Sequence, residues 1–515
     1  MALIRSVATL GSYTMISRVL GFVREILTAS FLGASAVSDA FFVALRLPNM
    51  FRSLFAEGAF NIAFVPIFAG KVAVDGRAEA KRFAEDALAI LLVGLLLFLL
   101  FGQICAPWIL DVVAPGFRAD ADKFALALDL TRIMFPYLVF ISLVAVQGGI
   151  LNSLDRFAAV AITPVLLNLF LIGALVGVRP LTGRALAWAV TASGVAQFLW
   201  LMASCWRAGM PLSLPVPRLT PELRRLLLIM LPGVFGAGVT QINLLVSTAI
   251  ASLLPTGSVS FLNYADRLNQ LPLAVIGIAV GTAILPTLSR QVRMGDHRGA
   301  NDTQNRGLEL ALLLTLPAAI GLAVAALPIL TVLFQHGRFS MADARATAPA
   351  LAAYAGGLPA FVLIKVVAPG FFARHDTRTP MVIGAITVAV NIVLTIALGL
   401  GTGLAHVGVA MATSIAGWVN AAGLSVTLAR RGHFRLDNGA RRRLPRLGAA
   451  AVGAGTVLAL LEYVLNGALG GNLSERVVAL ALLLLGGMAA FFALALAFAG
   501  IDRVALMRRL RRQTA

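Results

Sequence analysis

The segment SRVLGFVREILTASFLGASAVSDAFFVALRLPNMFRSLFAEGAF, residues 17–60, decides the fold class of this chain. It is apolar over most of its length, yet it carries four arginines and three acids: Arg18, Arg24, Arg46 and Arg52 with Glu25, Asp39 and Glu57. A charge at the centre of a membrane-spanning helix costs about 2.5–3.5 kcal/mol on insertion scales, so such side chains face each other, water or a ligand. The segment predicts a membrane protein with a positively charged interior.

The composition extends this prediction to the whole chain. Of the 515 residues, 59% are hydrophobic and 13% charged, and the mean hydropathy is +0.90, far from the values of soluble domains. Apolar runs long enough to cross a hydrocarbon core of about 30 Å recur from end to end. We predict an all-α polytopic protein with fourteen membrane-spanning helices over residues 8–30, 37–68, 85–110, 127–152, 158–178, 184–206, 222–254, 260–289, 307–333, 346–371, 379–400, 405–429, 447–466 and 476–500.

The net charge of +19 reflects topology and does not indicate nucleic acid as a partner. Lysine and arginine concentrate in one alternating set of predicted loops, such as 71–82, 290–306 and 430–446. The loops 34–38 and 256–258, from the other set, carry none. This alternation is the positive-inside pattern, and it predicts that both termini are cytoplasmic.

An internal repeat is indicated by matches that share an offset near 222 residues. Pro136 and Asn168 match Pro359 and Asn391, and the run 63–66 matches 283–286. Six helices per repeat keep the same orientation, as in transporters built from parallel repeats. We therefore predict a V-shaped transporter with an N-lobe at 1–217, a C-lobe at 218–440, and two extra C-terminal helices with a basic tail at 441–515.

The sequence contains no pattern typical of catalysis or of metal binding. Cys105 and Cys205 lie far apart in apolar segments, and the five histidines lack ligand spacing. Walker, HExxH and nucleophile-elbow motifs are absent from the sequence. We therefore expect neither enzyme activity nor a cofactor nor a metal. One alternative is a membrane-embedded transferase, for which Asp120 and Asp122 are the candidate acids.

The surplus of positive charge inside the predicted helices indicates an anionic ligand. The basic and acidic side chains there are Arg18, Arg24, Arg46, Arg52, Arg267 and Lys365 against Glu25, Asp39, Glu57 and Asp266. A guanidinium binds phosphate or carboxylate through two parallel hydrogen bonds. In the alternative, residues seven apart on one helix face neutralise each other and have only a structural role: Arg18 with Glu25 and Asp39 with Arg46. Arg24 is expected on another side of its helix.

Five runs of this sequence resemble the MurJ/MviN family of the multidrug/oligosaccharidyl-lipid/polysaccharide exporter superfamily. They are residues 17–25, 39–60, 264–272, 334–339 and 371–380. The resemblance implies a flippase of the bacterial cytoplasmic (inner) membrane that moves lipid II, the undecaprenyl-pyrophosphate-linked peptidoglycan precursor, to the periplasmic leaflet by alternating access. It also implies a groove for the isoprenoid tail beside the last two helices. Membrane lipids and the cell-wall synthesis machinery are further implied partners.

Carried over by position, the resemblance assigns substrate binding in a central cavity to Arg18, Arg24, Asp39, Arg52 and Arg267. Further cavity candidates are Arg46, Glu57, Asp266, Gln270 and Lys365. Some members of the family carry a glutamate where this chain has Gln270, so no acidic role is expected there. Asp39 is expected to hold an arginine in place or to report on occupancy.

Three other functions compete with this interpretation. A cation-coupled drug exporter of the same superfamily would need an acid-rich cavity, whereas this one is basic. A flippase for another anionic lipid-linked saccharide would share the basic cavity, and only the family-specific runs argue against it. A scaffold without transport activity predicts that the cavity charges are dispensable.

Overall fold

The structure is a computed structural model, and its description covers residues 2–53 and 60–498. Within these residues the chain is helical and contains no β-strand. In this described part of the chain, ten helical stretches are long and apolar enough to cross a membrane. The chain is therefore a multi-pass, all-α membrane protein, while the number of fourteen spans stays a prediction.

The chain forms two compact units, residues Met1–Ser260 and Phe261–Ala515. Unit 1 contains α1 (Ala2–Leu32), α2 (Ala36–Phe51), α3 (Phe60–Val74), α4 (Gly76–Val113), α5 (Ala121–Met134), α6 (Tyr137–Ser153), α7 (Phe157–Ala161), α8 (Thr163–Gly177), α9 (Gly183–Arg207) and α10 (Pro221–Ser252). A 3-10 turn at Pro115–Ala119 precedes α5. The first residues of α11 (Ser258–Arg293) complete this unit.

As far as residue 498, unit 2 contains the rest of α11 and seven further helices. They are α12 (His297–Val324), α13 (Ala326–Leu333), α14 (Met341–Phe372), α15 (Arg378–Gly399), α16 (Ala405–Arg430), α17 (Asn438–Leu469) and α18 (Leu473–Phe498). Residues of α11, α12, α14 and α16 form its main apolar cluster, which includes Ile284, Val366 and Leu424. α17 and α18 pack against each other and against α12 in a second cluster around Leu447 and Phe491.

A proline divides one of the predicted helices. The predicted helix 127–152 is two helices, α5 and α6, which are separated at Pro136. In the predicted helix 37–68, α2 contains Pro48 and α3 begins at Phe60, and residues 54–59 lie outside the description. Proline lacks the N–H that continues the helical ladder, and its ring crowds the preceding turn. Other helices extend beyond the predicted bounds, most clearly α4, which begins at Gly76 instead of residue 85.

The two units repeat the same turn after α6 and after α14. Arg156 N donates to the Leu151 carbonyl at 2.8 Å, and Asp376 N, 220 positions later, donates to the Phe371 carbonyl at 3.0 Å. The preceding residue has a φ of 59° in the first turn and 58° in the second. The shared left-handed residue closes both helices in the same way. This turn supports the duplication that the sequence indicates.

A second repeated turn follows α9 and α16. Met210 N donates to the Cys205 carbonyl at 3.0 Å, and His433 N donates to the Leu428 carbonyl at 3.1 Å, 223 positions later. A glycine with positive φ stands just before the donor in both cases. The ends of α6 and α9 in unit 1 therefore have structural equivalents at the ends of α14 and α16 in unit 2.

Candidate functional site

Arg24 lies on α1, where two neighbours hold its guanidinium. Nη2 donates to Glu25 Oε1 at 2.6 Å, and Nη1 donates to Asn168 Oδ1 of α8 at 3.0 Å. Asn168 Nδ2 donates to the carbonyl of Ser17 at 3.0 Å, which fixes the amide across α1. The exposed fractions of the Arg24 and Glu25 side chains are 13% and 5%, so solvent screens this pair little.

The expectation that Arg24 points away from the acids of its helix is wrong. Arg24 contacts Glu25, its sequence neighbour, because the long guanidinium arm can turn back along the helix surface. The proposed pairs Arg18–Glu25 and Asp39–Arg46 do not form among the residues that the structure describes. Arg18 is half-buried and has no hydrogen bond or ion pair within that same part of the chain. Arg18 therefore does not form the ion pair with Glu25 that the purely structural alternative requires.

The second half of α2 faces α10 with polar side chains. Arg46 Nη1 donates to Thr248 Oγ1. Ser53, next to the half-buried Arg52, accepts a hydrogen bond from Gln241 Nε2 at 3.1 Å. Arg46 of α2 and Ser53, just beyond the end of α2, thus bond polar side chains of α10. The cavity candidate Glu57 falls outside the described residues.

Asp39 is buried, with 1% of its surface exposed, and protein donors surround its carboxylate. Oδ2 accepts from Lys123 Nζ of α5 and from Gly257 N, both at 2.8 Å. Oδ1 accepts from Ser260 N at 3.0 Å and Ser260 Oγ at 2.6 Å. The carboxylate therefore caps the start of α11, where backbone N–H groups and the helix dipole favour negative charge. Its ionic partner is Lys123 instead of an arginine.

Two further contacts complete this cluster around Asp39. Ser38 Oγ lies 2.9 Å from Ser260 Oγ. The Lys123 ammonium lies over the ring of Phe117, 4.4 Å from its centroid. The short segment before α11 is thus fixed to α2 and α5 inside unit 1.

In unit 2, polar residues line one part of α11. Gln270 Nε2 donates to Asp266 Oδ2, and Arg267 between them is half-buried. Asn263 Nδ2 and Asn269 Oδ1 are buried without a hydrogen-bond partner within the described residues. A polar group buried in this way costs about 1–3 kcal/mol. Such atoms mark a place where a ligand or water can complete the hydrogen bonding.

Lys365 belongs to α14 and is exposed on its surface. Its aliphatic stem lies over Gly277 and Gly281 of α11, where glycine leaves room for it. A long stem of this kind can carry the ammonium away from apolar surroundings. The two cations that the sequence predicts in unit 2 therefore belong to different helices, Arg267 to α11 and Lys365 to α14.

An apolar pocket of about 450 Å³ lies beside α17 and α18 within unit 2. α11, α12 and α13 supply its other walls. Its lining residues are almost entirely apolar, among them Val275, Leu322, Leu458 and Phe492. The pocket is suited to a hydrocarbon chain and offers hardly any polar group to a head group.

Comparison with known proteins assigns the chain to a family. A family model described as "Lipid II flippase MurJ" matches residues 28–478. A "Probable lipid II flippase MurJ" of Rhizobium meliloti (strain 1021) is 45% identical over 523 residues, which cover 99% of this chain and 97% of the relative. The chain belongs to the lipid II flippase MurJ family. The "Lipid II flippase MurJ" of Burkholderia cenocepacia is 38% identical and is covered over 90% of both chains.

Solved structures agree with this family in fold. The structure described as "Lipid II flippase MurJ, inward closed conformation" matches with a TM-score of 0.78 at 24% identity, over 95% of this chain and 98% of that one. An inward-facing MATE family multidrug transporter matches with a TM-score of 0.66 at 15% identity, over 82% and 97%. The chain thus shares its fold with this MurJ structure and with a MATE transporter of the MOP superfamily.

Two residues of this MurJ family member have roles that the sequence analysis missed. Asn168 was noted only as a repeat match, yet it fixes Arg24. Lys123 was not among the predicted site residues, yet it pairs with Asp39 from 84 positions away. A polar residue within the apolar α8 was the available signal for Asn168. No spacing in the sequence connects Lys123 with Asp39.

Proposed function

We propose that this protein flips lipid II from the cytoplasmic to the periplasmic leaflet of the bacterial inner membrane by alternating access. Its relatives carry the name of that activity. Flipping changes no covalent bond, so the site needs binding and release without catalysis. Both termini are cytoplasmic in this proposal, as the distribution of loop charges predicts.

The arrangement around Arg24 is the observation that carries the proposal. The guanidinium is held inside an apolar helix by Asn168, a neutral partner, and Glu25, an acid. The half-buried Arg18 on the same helix adds a second cation. A pyrophosphate and peptide carboxylates are anions that guanidinium groups bind bidentately. An excess of held cations in apolar helices fits such a head group.

We assign head-group binding to Arg18, Arg24, Arg52 and Arg267. Arg46, Asp266, Gln270 and Lys365 are further candidates of the two units, and Glu57 keeps its place among the candidates by sequence position alone. Asp39 receives a different role, because its oxygens are occupied by donors of the chain. It positions the start of α11 and need not touch the lipid.

The isoprenoid tail of lipid II is assigned to an apolar surface apart from the arginines. The apolar pocket beside α17 and α18 takes part of the isoprenoid tail, which supports assigning the segment 441–515 to tail binding. Three of the proposed head-group arginines belong to the lobe 1–217, and Arg267 belongs to the lobe 218–440. The cell-wall synthesis machinery that makes and consumes lipid II is the proposed functional partner, together with the membrane lipids.

The proposal is tested in cells depleted of their own flippase. Production of this protein should restore growth and remove the lipid II that accumulates in the inner leaflet. The variant Arg24→Gln should fail to do so at equal abundance, whereas Arg184→Gln, a matched change at an exposed arginine paired with Asp129, should succeed. Equal rescue by both variants, or rescue of a strain lacking a flippase for another lipid-linked saccharide instead, would contradict the proposal.

A further inference from the structure

A small pocket of about 210 Å³ lies at one corner of unit 1, outside the residues assigned above. It forms where the end of α6 and the turn into α7 meet the last turn of α9. Its lining residues are Leu151, Arg156, Ala158, Ala159, Ser204, Arg207 and Ala208. Two arginines and several apolar residues therefore line one small space.

The two arginines of this corner, Arg156 and Arg207, are exposed. Within the described residues neither of them forms an ion pair. Asp155, the nearest acid in sequence, is also exposed and forms no ion pair in that part of the chain. The corner itself is well fixed, because Trp200 Nε1 of α9 donates to the Ala159 carbonyl at 3.0 Å.

The equivalent corner of unit 2 has an acid in the same turn, and this acid pairs with an arginine. Asp376 takes the place of Arg156 in the repeated turn, and its Oδ2 accepts from Arg431 Nη1 at 2.5 Å. Thr379 N donates to Asp376 Oδ1 at 3.0 Å. Hydrogen bonds from Thr379 and Arg431 lower the pKa of Asp376 to about 2. In unit 2 the chain thus provides its own anion at the end of α16.

We propose that the Arg156–Arg207 corner of unit 1 binds the phosphate of an anionic lipid headgroup. The ligand phosphate takes the place that the Asp376 carboxylate has in unit 2. Guanidinium pairs suit phosphate, which offers several charged oxygens to their parallel donors.

A lipid is favoured over a free anion by the surroundings of the corner. Trp206, beside Arg207, is 69% exposed, and tryptophan is typical of the membrane interface. Leu151, Ala158 and Ala159 give the pocket an apolar wall next to the arginines. The corner also closes α6 and α9, which belong to membrane-spanning stretches. A headgroup phosphate with its acyl chains along these helices satisfies both parts of the pocket.

The test uses the purified full-length protein in detergent and counts retained lipids by native mass spectrometry. The probes are dioleoylphosphatidylglycerol, dioleoylphosphatidylcholine and inorganic phosphate. Wild type should retain one tightly bound phosphatidylglycerol that the double variant Arg156→Gln/Arg207→Gln binds about tenfold more weakly, as expected for lost charge-assisted hydrogen bonds. The control Arg224→Gln, at an exposed arginine of α10, should bind like wild type.

A second variant separates loss of binding from loss of folding. Arg156→Asp places an acid beside Arg207 in this corner, so it should also lose the lipid while melting no earlier than wild type without lipid. Equal retention of phosphatidylglycerol by wild type and both corner variants would overturn the site. Equal binding of phosphatidylcholine, or displacement of the lipid by millimolar phosphate, would overturn the assignment to an anionic lipid.

Discussion

At the residue scale, Arg24 and Asp39 differ in the groups that surround them. The Arg24 guanidinium donates to one acid and one amide, and these two neighbours set its orientation. Asp39 is the opposite case, because protein donors occupy both of its oxygens. Arg24 and Asp39, which belong to neighbouring motifs, therefore have different surroundings, and only Arg24 is assigned to the head group in the proposed function.

The amide of Asn168 should matter for flipping more than for folding. Asn168→Ala removes the bond that orients Arg24, and hydrogen bonds to charged groups contribute about 1.5–3 kcal/mol. We expect lipid II translocation to fall about tenfold at unchanged abundance. Thr28→Val is the matched control on α1, because Thr28 bonds only the backbone of its own helix. Equal activity of Asn168→Ala and wild type would show that Arg24 needs no support.

The buried Asp39–Lys123 pair should respond unequally to loss of each partner. Asp39→Asn leaves Lys123 as a buried, unpaired cation, a change that costs about 3–5 kcal/mol of folding stability. Lys123→Met should cost less, because Asp39 keeps its bonds to Gly257 and Ser260. Thermal unfolding of both variants in detergent measures this order. A lower melting temperature for Lys123→Met than for Asp39→Asn would contradict the role of the backbone donors.

At the element scale, the sequence predicted the helices well and their interruptions poorly. Long apolar runs identify a helix whatever surrounds it, and each predicted helix corresponds to one or two helices of the structure. Whether a proline bends a helix or ends it depends on packing. Pro48 lies inside α2, whereas Pro136 separates α5 from α6. Hydropathy carries no information about that difference.

The apolar pocket beside α17 and α18 should respond to filling. Gly321 lines it, and a Cβ there would lie 3.8 Å from Leu484 Cδ2, so Gly321→Ala fits without strain. Gly321→Phe would occupy part of the volume of about 450 Å³. We expect Gly321→Phe to weaken binding of full-length lipid II but not of an analogue with a short prenyl chain. Equal weakening for both chain lengths would argue against a tail site.

The turn between α14 and α15 should give unit 2 an acid-sensitive contact. The pKa of Asp376 is about 2 because Thr379 and Arg431 stabilise its carboxylate, whereas an unfolded aspartate has a pKa of about 3.9. This contribution is complete above the unfolded value and disappears as the pH falls toward 2. Asp376→Asn should therefore melt earlier than wild type at pH 7, and the difference should vanish near pH 2. A difference independent of pH would contradict the ion pair.

At the scale of the whole molecule, the duplication explains both what could be predicted and what could not. A few matched residues at one offset were enough to propose two repeats, and the turns after α6 and α14 support them. The sequence could not predict which charged side chains pair, because partners such as Asp39 and Lys123 come from different helices. The cationic surplus itself was readable, since it needs only residue types and membrane-spanning length.

We expect this chain alone to move lipid II across a bilayer by means of its intramembrane arginines. The most direct measurement reconstitutes the purified protein into liposomes with fluorescent lipid II and a membrane potential, and follows the fraction accessible from outside. Wild type should expose the lipid much faster than empty liposomes, while Arg24→Gln and Arg267→Gln should not. A wild-type rate equal to that of empty liposomes, or unchanged rates in both variants, would contradict the account.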